Sequence, residues 1–154
     1  MKRLADIAEN SSSWSRFHEM GPDDRIELHE LVSRIAMAED AGDAEALEEL
    51  IAAECEYTRE GEVMGPYIAW AIRTAEQLVR IRRQHANAYF DVTGWCRAEG
   101  ASYLTLVRTD GESSPRIAAS ILVRDTFEKR GGRWLLTARE HTAIALEEWF
   151  VLPD

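Results

Sequence analysis

Residues 82–95, RRQHANAYFDVTGW, decide how the chain is read. Upstream of them, apolar residues recur at helical spacing. From His85 onward they alternate: Ala86, Ala88, Phe90 and Val92 fall on one parity, and His85, Asn87, Tyr89 and Asp91 on the other. Alternation marks a strand with one buried face. The stretch is therefore the joint between a helical half and a stranded half, and it puts a histidine at the strand's entrance.

Upstream, residues 66–84 (PYIAWAIRTAEQLVRIRRQ) predict a helix with Ile68, Ile72, Ala75 and Leu78 at helical spacing. Its basic tail, Arg80, Arg82 and Arg83, suits the negative end of a helix dipole. Before it, residues 54–65 (ECEYTREGEVMG) carry a weak strand signal, with Gly61 and Gly65 at turns. Residues 22–40 (PDDRIELHELVSRIAMAED) predict the clearest helix, with Ile26, Leu31, Ile35 and Ala38 near one face and Leu28 and Val32 beside them. Pro22 suits its first turn, and Asp23 and Asp24 its positive end. AGD at 41–43 ends it, and Asp43 caps a short helix, AEALEELIA. Residues 1–21 form a polar extension, ENSSSW included, with Trp14 and Phe17 apolar enough to dock on the body.

Downstream, ASYLTLVRTDG (101–111), PRIAASILVRDTFEKRGGRW (115–134) and RWLLTAREHTAIALEEWF (133–150) predict three more strands, with RGG as a hairpin turn. Helices first and a strand meander afterwards predict an α+β fold. Three helices then pack on a curved, mostly antiparallel sheet.

The chain has 154 residues, enough for one domain with a real core, here residues 22–154. Its formal net charge of -10 disfavours nucleic acid and anionic membrane as partners. Cys55 and Cys96 are too few for a disulfide scaffold and read as reduced, buried thiols. The N-terminal sequence lacks a secretory apolar segment and no run is long enough to span a bilayer, so a cytoplasmic protein is expected. The four His and two Cys show no metal-ligand spacing, and no phosphate-binding glycine loop occurs, so no cofactor is expected.

Four phrases, in order, carry a resemblance: RIELHELVSRIAMAEDAGDAEALEELIAAECEY (25–57), GEVMGPYIAWAI (61–72), RRQHANAYFDVTG (82–94) and RDTFEKRGGRWLLTARE (124–140). Together they resemble the SnoaL-like branch of the nuclear transport factor 2-like, cystatin-like cone superfamily, over about residues 24–145. The resemblance implies a cone-shaped α+β barrel with a pocket between helices and sheet, and a homodimer through the outer sheet face. The superfamily includes dehydratases, isomerases, polyketide cyclases, epoxide hydrolases, a dehydrochlorinase and non-catalytic binding proteins, so the fold does not fix the activity.

In the family's dehydratases an Asp late in the first helix orients a His at a strand entrance, and the His takes a proton from substrate. By position these are Asp40 and His85. The chemistry is sound: neutral imidazole accepts a proton near pH 7, and a carboxylate on its other nitrogen fixes the tautomer. The bland reading makes Asp40 a solvated helix-end residue and His85 a polar strand opener. One departure stands out. Where some relatives carry a Tyr one turn before the Asp, this chain has Ile35, Ala36 and Met37.

Tyr57, Trp70, Tyr89, Tyr103, Arg139 and His141 are the further candidates for contact with substrate. His141 shares strand parity with Arg139 and Thr137, and Asp125 reads as a sheet-face partner of Arg139 or Arg133. Trp149 and Phe150 read as a tail folded over the pocket mouth or onto a partner. The implied activity is a cofactor-independent lyase or isomerase, dehydratase-like, acting on a small cyclic or polyketide-like molecule. The alternatives are a small-molecule-binding protein of the same fold and a structural subunit like the small subunit of aromatic-ring dioxygenases.

Overall fold

The computed structural model describes residues 20–110 and 114–154. The expected extension, with Trp14 and Phe17, lies outside the described residues apart from its last two. Helix α1 spans Pro22–Ala41 and ends at Gly42, whose φ of 65° closes the helix through backbone bonds to Ala38 and Glu39. Helix α2, Ala44–Leu50, starts where the Asp43 carboxylate accepts the Ala46 amide at 3.0 Å. Strands β1 (Ile51–Arg59) and β2 (Glu62–Pro66) form a short hairpin, and helix α3 (Tyr67–Thr74) follows directly. Strands β3 (Ile81–Gly94), β4 (Arg97–Arg108), β5 (Arg116–Arg130) and β6 (Arg133–Leu146) then meander.

These strands make one six-stranded, curved, open sheet in the order β2-β1-β6-β5-β4-β3. Only the β1–β6 pairing is parallel. The helices cover one face, with α1 against β3. Leu28, Leu31, Val32 and Ile35 of α1 meet Leu104, Leu106, Ile121, Val123 and Phe127 of the sheet in one core. No helix among the described residues is long and apolar enough to cross a membrane.

Three expectations need correction. The third helix stops at Thr74, and Arg82 and Arg83 lie in β3, where Arg83 faces two carboxylates rather than a helix end. Ile26 is exposed, and Glu39 takes the next place along the buried stripe of α1. Cys55 is buried as expected, but Cys96 is exposed in the β3–β4 turn at a φ of 52°.

Two bulges decide which side chains face the helices. Between Ala86 and Tyr89 the register on β3 advances three residues while β4 advances two, from Tyr103 to Ala101. Asn87 sits in this bulge with φ 54°, so Ile81, Arg83 and His85 point to the same face as Ala88, Phe90 and Val92. Simple alternation had put His85 opposite Phe90. Likewise β6 gains a residue near Thr137, because Thr126 pairs with Ala138 and Phe127 with Leu136. That shift buries Leu136 together with Arg139 and His141, which strict parity separates.

Candidate functional site

The inner face of the cone gathers residues from five elements. Late α1 supplies Glu39 and Asp40, β1 supplies Tyr57, α3 supplies Tyr67 and Trp70, β3 supplies Arg83 and His85, and β6 supplies Arg139 and His141. Glu39 is one residue before the expected acid and is the more buried of the two. It accepts a hydrogen bond from the Tyr67 hydroxyl and pairs with Arg83 Nε at 3.0 Å. Arg139 Nη1 donates to the Tyr67 hydroxyl at 3.2 Å. Arg139 is itself held by Asp125 through two bonds of 2.8 Å, the side-on geometry that makes a buried guanidinium tolerable.

Asp40 does not bond His85. Its Oδ1 takes Arg83 Nη1 at 2.8 Å and its Oδ2 takes the Arg83 amide at 3.3 Å. His85 instead sets its Nδ1 2.9 Å from the Ser102 hydroxyl on β4. The His85 Nε2 atom is buried and has no partner among the described residues. Burial, with the nearby positive charges of Arg139 and Arg83, pushes the His85 pKa down to about 3. The imidazole is neutral at pH 7.

His141 is more deeply placed than the sequence suggests. Its Nδ1 lies 2.9 Å from the Tyr57 hydroxyl, and its Nε2 is again buried without a partner among the described residues. Burial and then Arg139 drive its pKa well below the usual histidine range. Tyr57, Tyr67 and Trp70 surround it edge-on, with centroid distances of 5.1, 6.4 and 6.3 Å. Tyr57 is also buried, and burial pushes its pKa up to about 12, so it stays a hydroxyl.

Glu39, Tyr67, Trp70, Arg83 and His141 line an interior cavity of about 10 Å³, with Leu78, Leu104, Leu106 and Ile121 as its apolar wall. That is room for about one water-sized atom. The remaining wall is Leu152, from the segment after β6. This tail is tied across the mouth: Trp70 Nε1 and Arg59 Nη1 donate to the Pro153 carbonyl at 3.1 and 2.7 Å, and Arg59 Nη2 reaches the Asp154 side chain at 2.6 Å. Upstream in the tail, Trp149 is flanked by the guanidinium groups of Arg116 and Arg108 at 4.9 and 5.3 Å.

Tyr89 and Tyr103 do not join this group. Both are exposed on the opposite sheet face, Tyr89 beside a groove of about 350 Å³ with Arg124, Thr126 and Glu140. That groove is far larger than the interior cavity but holds neither unpartnered imidazole nitrogen, whereas His141 lines the interior cavity and His85 stands on the same inner face outside that lining. The candidate site is therefore the interior one. Of the predicted residues, Tyr57, Trp70, His85, Arg139 and His141 share the inner face, and Asp40 touches it through Arg83.

Comparison with known proteins accords with this architecture. The family model described as "SnoaL-like domain" matches residues 23–140. The chain belongs to the SnoaL-like domain family. No curated protein matches the sequence. Among solved structures, an NTF2-like protein with a cystatin-like fold from Novosphingobium aromaticivorans is 24% identical at a TM-score of 0.70, covering 96% of this chain and 94% of that one. Aln2 from a Streptomyces species is 17% identical at a TM-score of 0.72, covering 80% and 93%. The hexachlorocyclohexane dehydrochlorinase LinA-type3 from Novosphingobium barchaimii is 14% identical at a TM-score of 0.64, covering 84% and 94%. At these identities the likeness of this SnoaL-like chain to each is one of fold.

Glu39, Tyr67, Arg83 and Ser102 had not been singled out as site residues from the sequence. Glu39 carried a usable signal: it continues the buried series Leu28, Val32 and Ile35, and a carboxylate on an apolar stripe demands partners. Ser102 alternates with Leu104 and Leu106 on the inner face of β4. Arg83 was hidden by assigning it to a helix.

Proposed function

We propose that this protein is a cofactor-independent lyase or isomerase that moves a proton on a small, largely apolar carbonyl or hydroxyl compound. The observation that carries the reading is His85: a neutral imidazole anchored through Nδ1, with a buried and unpartnered Nε2. Such a nitrogen can take a proton from a carbon acid held against it. Ser102 orients the ring. Asp40 acts at one remove by holding Arg83, rather than as the direct partner that the resemblance implies. The low pKa of His85 makes it a weak base at rest, and negative charge developing on the substrate supplies the missing partner for the imidazolium. The dehydrochlorinase named among the structural neighbours lends the class indirect support, through shared fold alone.

In this reading substrate enters by displacing Leu152, which leaves space only for an oxygen-sized atom while it is seated. The same seated residue favours a second reading, a binding protein without chemistry. Deuterium uptake separates the two. A panel of small cyclic ketones and hydroxyketones is incubated with protein in D₂O and followed by NMR. Exchange at the carbon next to the carbonyl is expected with the native protein, faster with Leu152→Ala, and at background with His85→Gln. A ligand that binds but returns without deuterium sinks the catalytic reading in favour of the binding one.

A further inference from the structure

One corner of the sheet gathers positive charge that the fold does not require. Ile81, Arg108 and Arg116 sit opposite one another across β3, β4 and β5, so two arginines are direct cross-strand partners. Like charges in that position repel and weaken a sheet. Arg80, next to Ile81, is fastened to the same corner, because its carbonyl accepts the Thr109 amide at 2.8 Å and the Thr109 hydroxyl at 3.2 Å. Relief from carboxylates is slight. Arg108 Nε stands 3.7 Å from Asp110, and Arg80 and Arg116 form no ion pair with a described residue, Glu147 and Glu148 of the adjoining tail included. In a chain of net charge -10, cations gathered away from internal carboxylates offer themselves to an external anion.

The surroundings say which kind of anion. Beside the arginines opens a groove of about 390 Å³, within the size range of small-molecule sites. Arg80, Arg108 and Trp149 line it together with the apolar Val79, Ile81 and Val151. Trp149 holds the guanidinium groups of Arg116 and Arg108 within cation–π range, and its Nε1 is buried without an acceptor among the described residues. Cations and an N–H donor lacking its acceptor, set against an apolar wall, fit an anionic head on an apolar body. The groove shares no lining residue with the interior cavity, yet the two are neighbours along the chain: Leu78 and Leu152 line the cavity, while Val79 and Val151 line the groove.

We propose that this groove is an effector site for a small organic anion with an apolar body, such as a fatty or aryl carboxylate, and that the bound anion holds the tail seated over the interior cavity. A ligand that joins Arg80 and Arg108 on the sheet to Trp149 on the tail binds the seated form better and shifts the population toward it. The site does not depend on the chemistry of His85.

Octanoate, octanamide and inorganic phosphate are titrated into ¹⁵N-labelled protein and followed by NMR. Octanoate should move the Trp149 indole signal, identified by its loss in Trp149→Phe, and the amides of Arg80 and Arg108, to saturation. Octanamide, which keeps the chain but not the charge, should bind about tenfold more weakly or less, and so should phosphate, which lacks the apolar body. Arg80→Gln, which leaves both arginines on Trp149, should weaken octanoate about threefold, and Arg108→Gln with Arg116→Gln about tenfold, the other amide signals staying in place. The absence of saturable shifts, octanamide binding as tightly as octanoate, or undiminished binding by the double variant overturns the site. Phosphate binding as tightly as octanoate overturns the apolar part of the ligand, and capture by anionic lipid vesicles without any response to octanoate overturns the small-molecule reading. The hold on the tail is read at Trp70, whose indole N–H bonds the Pro153 carbonyl only while the tail is seated. Saturating octanoate should slow its hydrogen exchange about threefold or more. Unchanged or faster exchange at saturation overturns the coupling.

Discussion

His85 and His141 are held neutral by their surroundings, and stability must record the cost of charging them. In the unfolded chain each titrates near 6.5, whereas burial and the neighbouring guanidinium groups take His85 down to about 3 and His141 well below its usual range. The folded protein thus binds these protons less readily than the unfolded one. Their contribution is fully present above pH 6.5 and is lost as the pH falls toward 3. Each histidine should subtract about 1.4 kcal/mol per pH unit below 6.5. Urea unfolding at pH 7 and pH 5.5 checks this: the native protein should lose stability between the two, and His85→Gln should lose about 1.4 kcal/mol less. Equal losses in both proteins would falsify the assignment. The chemistry of these residues was legible in the sequence, but their partners were not. Asp40 and Glu39 are adjacent carboxylates at a helix end, and only the packing of α1 on β3 decides which turns inward. The hydroxyls that address the two rings, Ser102 and Tyr57, lie 17 and 84 residues away in the chain.

At the scale of elements, strand identity was plain and strand facing was not. Period-two patterning marked β3 to β6, because half-buried strands repeat every second residue. A bulge leaves the pattern intact on either side and changes only its phase, so His85 read as opposite to Phe90 when the two share a face. The bulge has its own energetic signature at Asn87, whose φ of 54° lies in the left-handed region that asparagine and glycine tolerate and β-branched residues resist. Asn87→Gly should be nearly neutral, within about 0.5 kcal/mol, and Asn87→Val should cost about 1–2 kcal/mol in denaturant melts. A Val protein as stable as the native one would argue against a strained bulge. The over-long third helix has a different cause. Gln77–Arg83 keeps good helix formers, but Leu78 and Ile81 bury against the core as the chain turns into β3, and tertiary packing overrides propensity.

For the molecule as a whole, helix-then-meander order was enough to name the architecture, since few arrangements cover a curved sheet on one face only. The uncovered face is the source of the remaining proposal. Tyr89, Tyr103, Ile117 and Ile144 are exposed, and we propose that two copies pair through the outer sheet face. Light scattering should return twice the mass of one chain, rising toward it with added salt because the charge of -10 on each copy opposes association. Tyr103→Glu should shift the mass to that of one chain with the circular dichroism unchanged; a native protein already monomeric at high salt removes the proposal.

The strap of residues 149–154 has a consequence for any measured affinity. A ligand that can bind only when Leu152 is unseated binds a fraction of the molecules, and its apparent dissociation constant is the intrinsic one divided by that fraction. The divisor is common to every ligand that needs the same opening. Tightening or loosening the bonds from Arg59 and Trp70 to Pro153 therefore scales all affinities together and leaves their rank order intact. Discrimination among ligands belongs to the pocket walls, while the tail sets only how much of the protein stands open at a given moment.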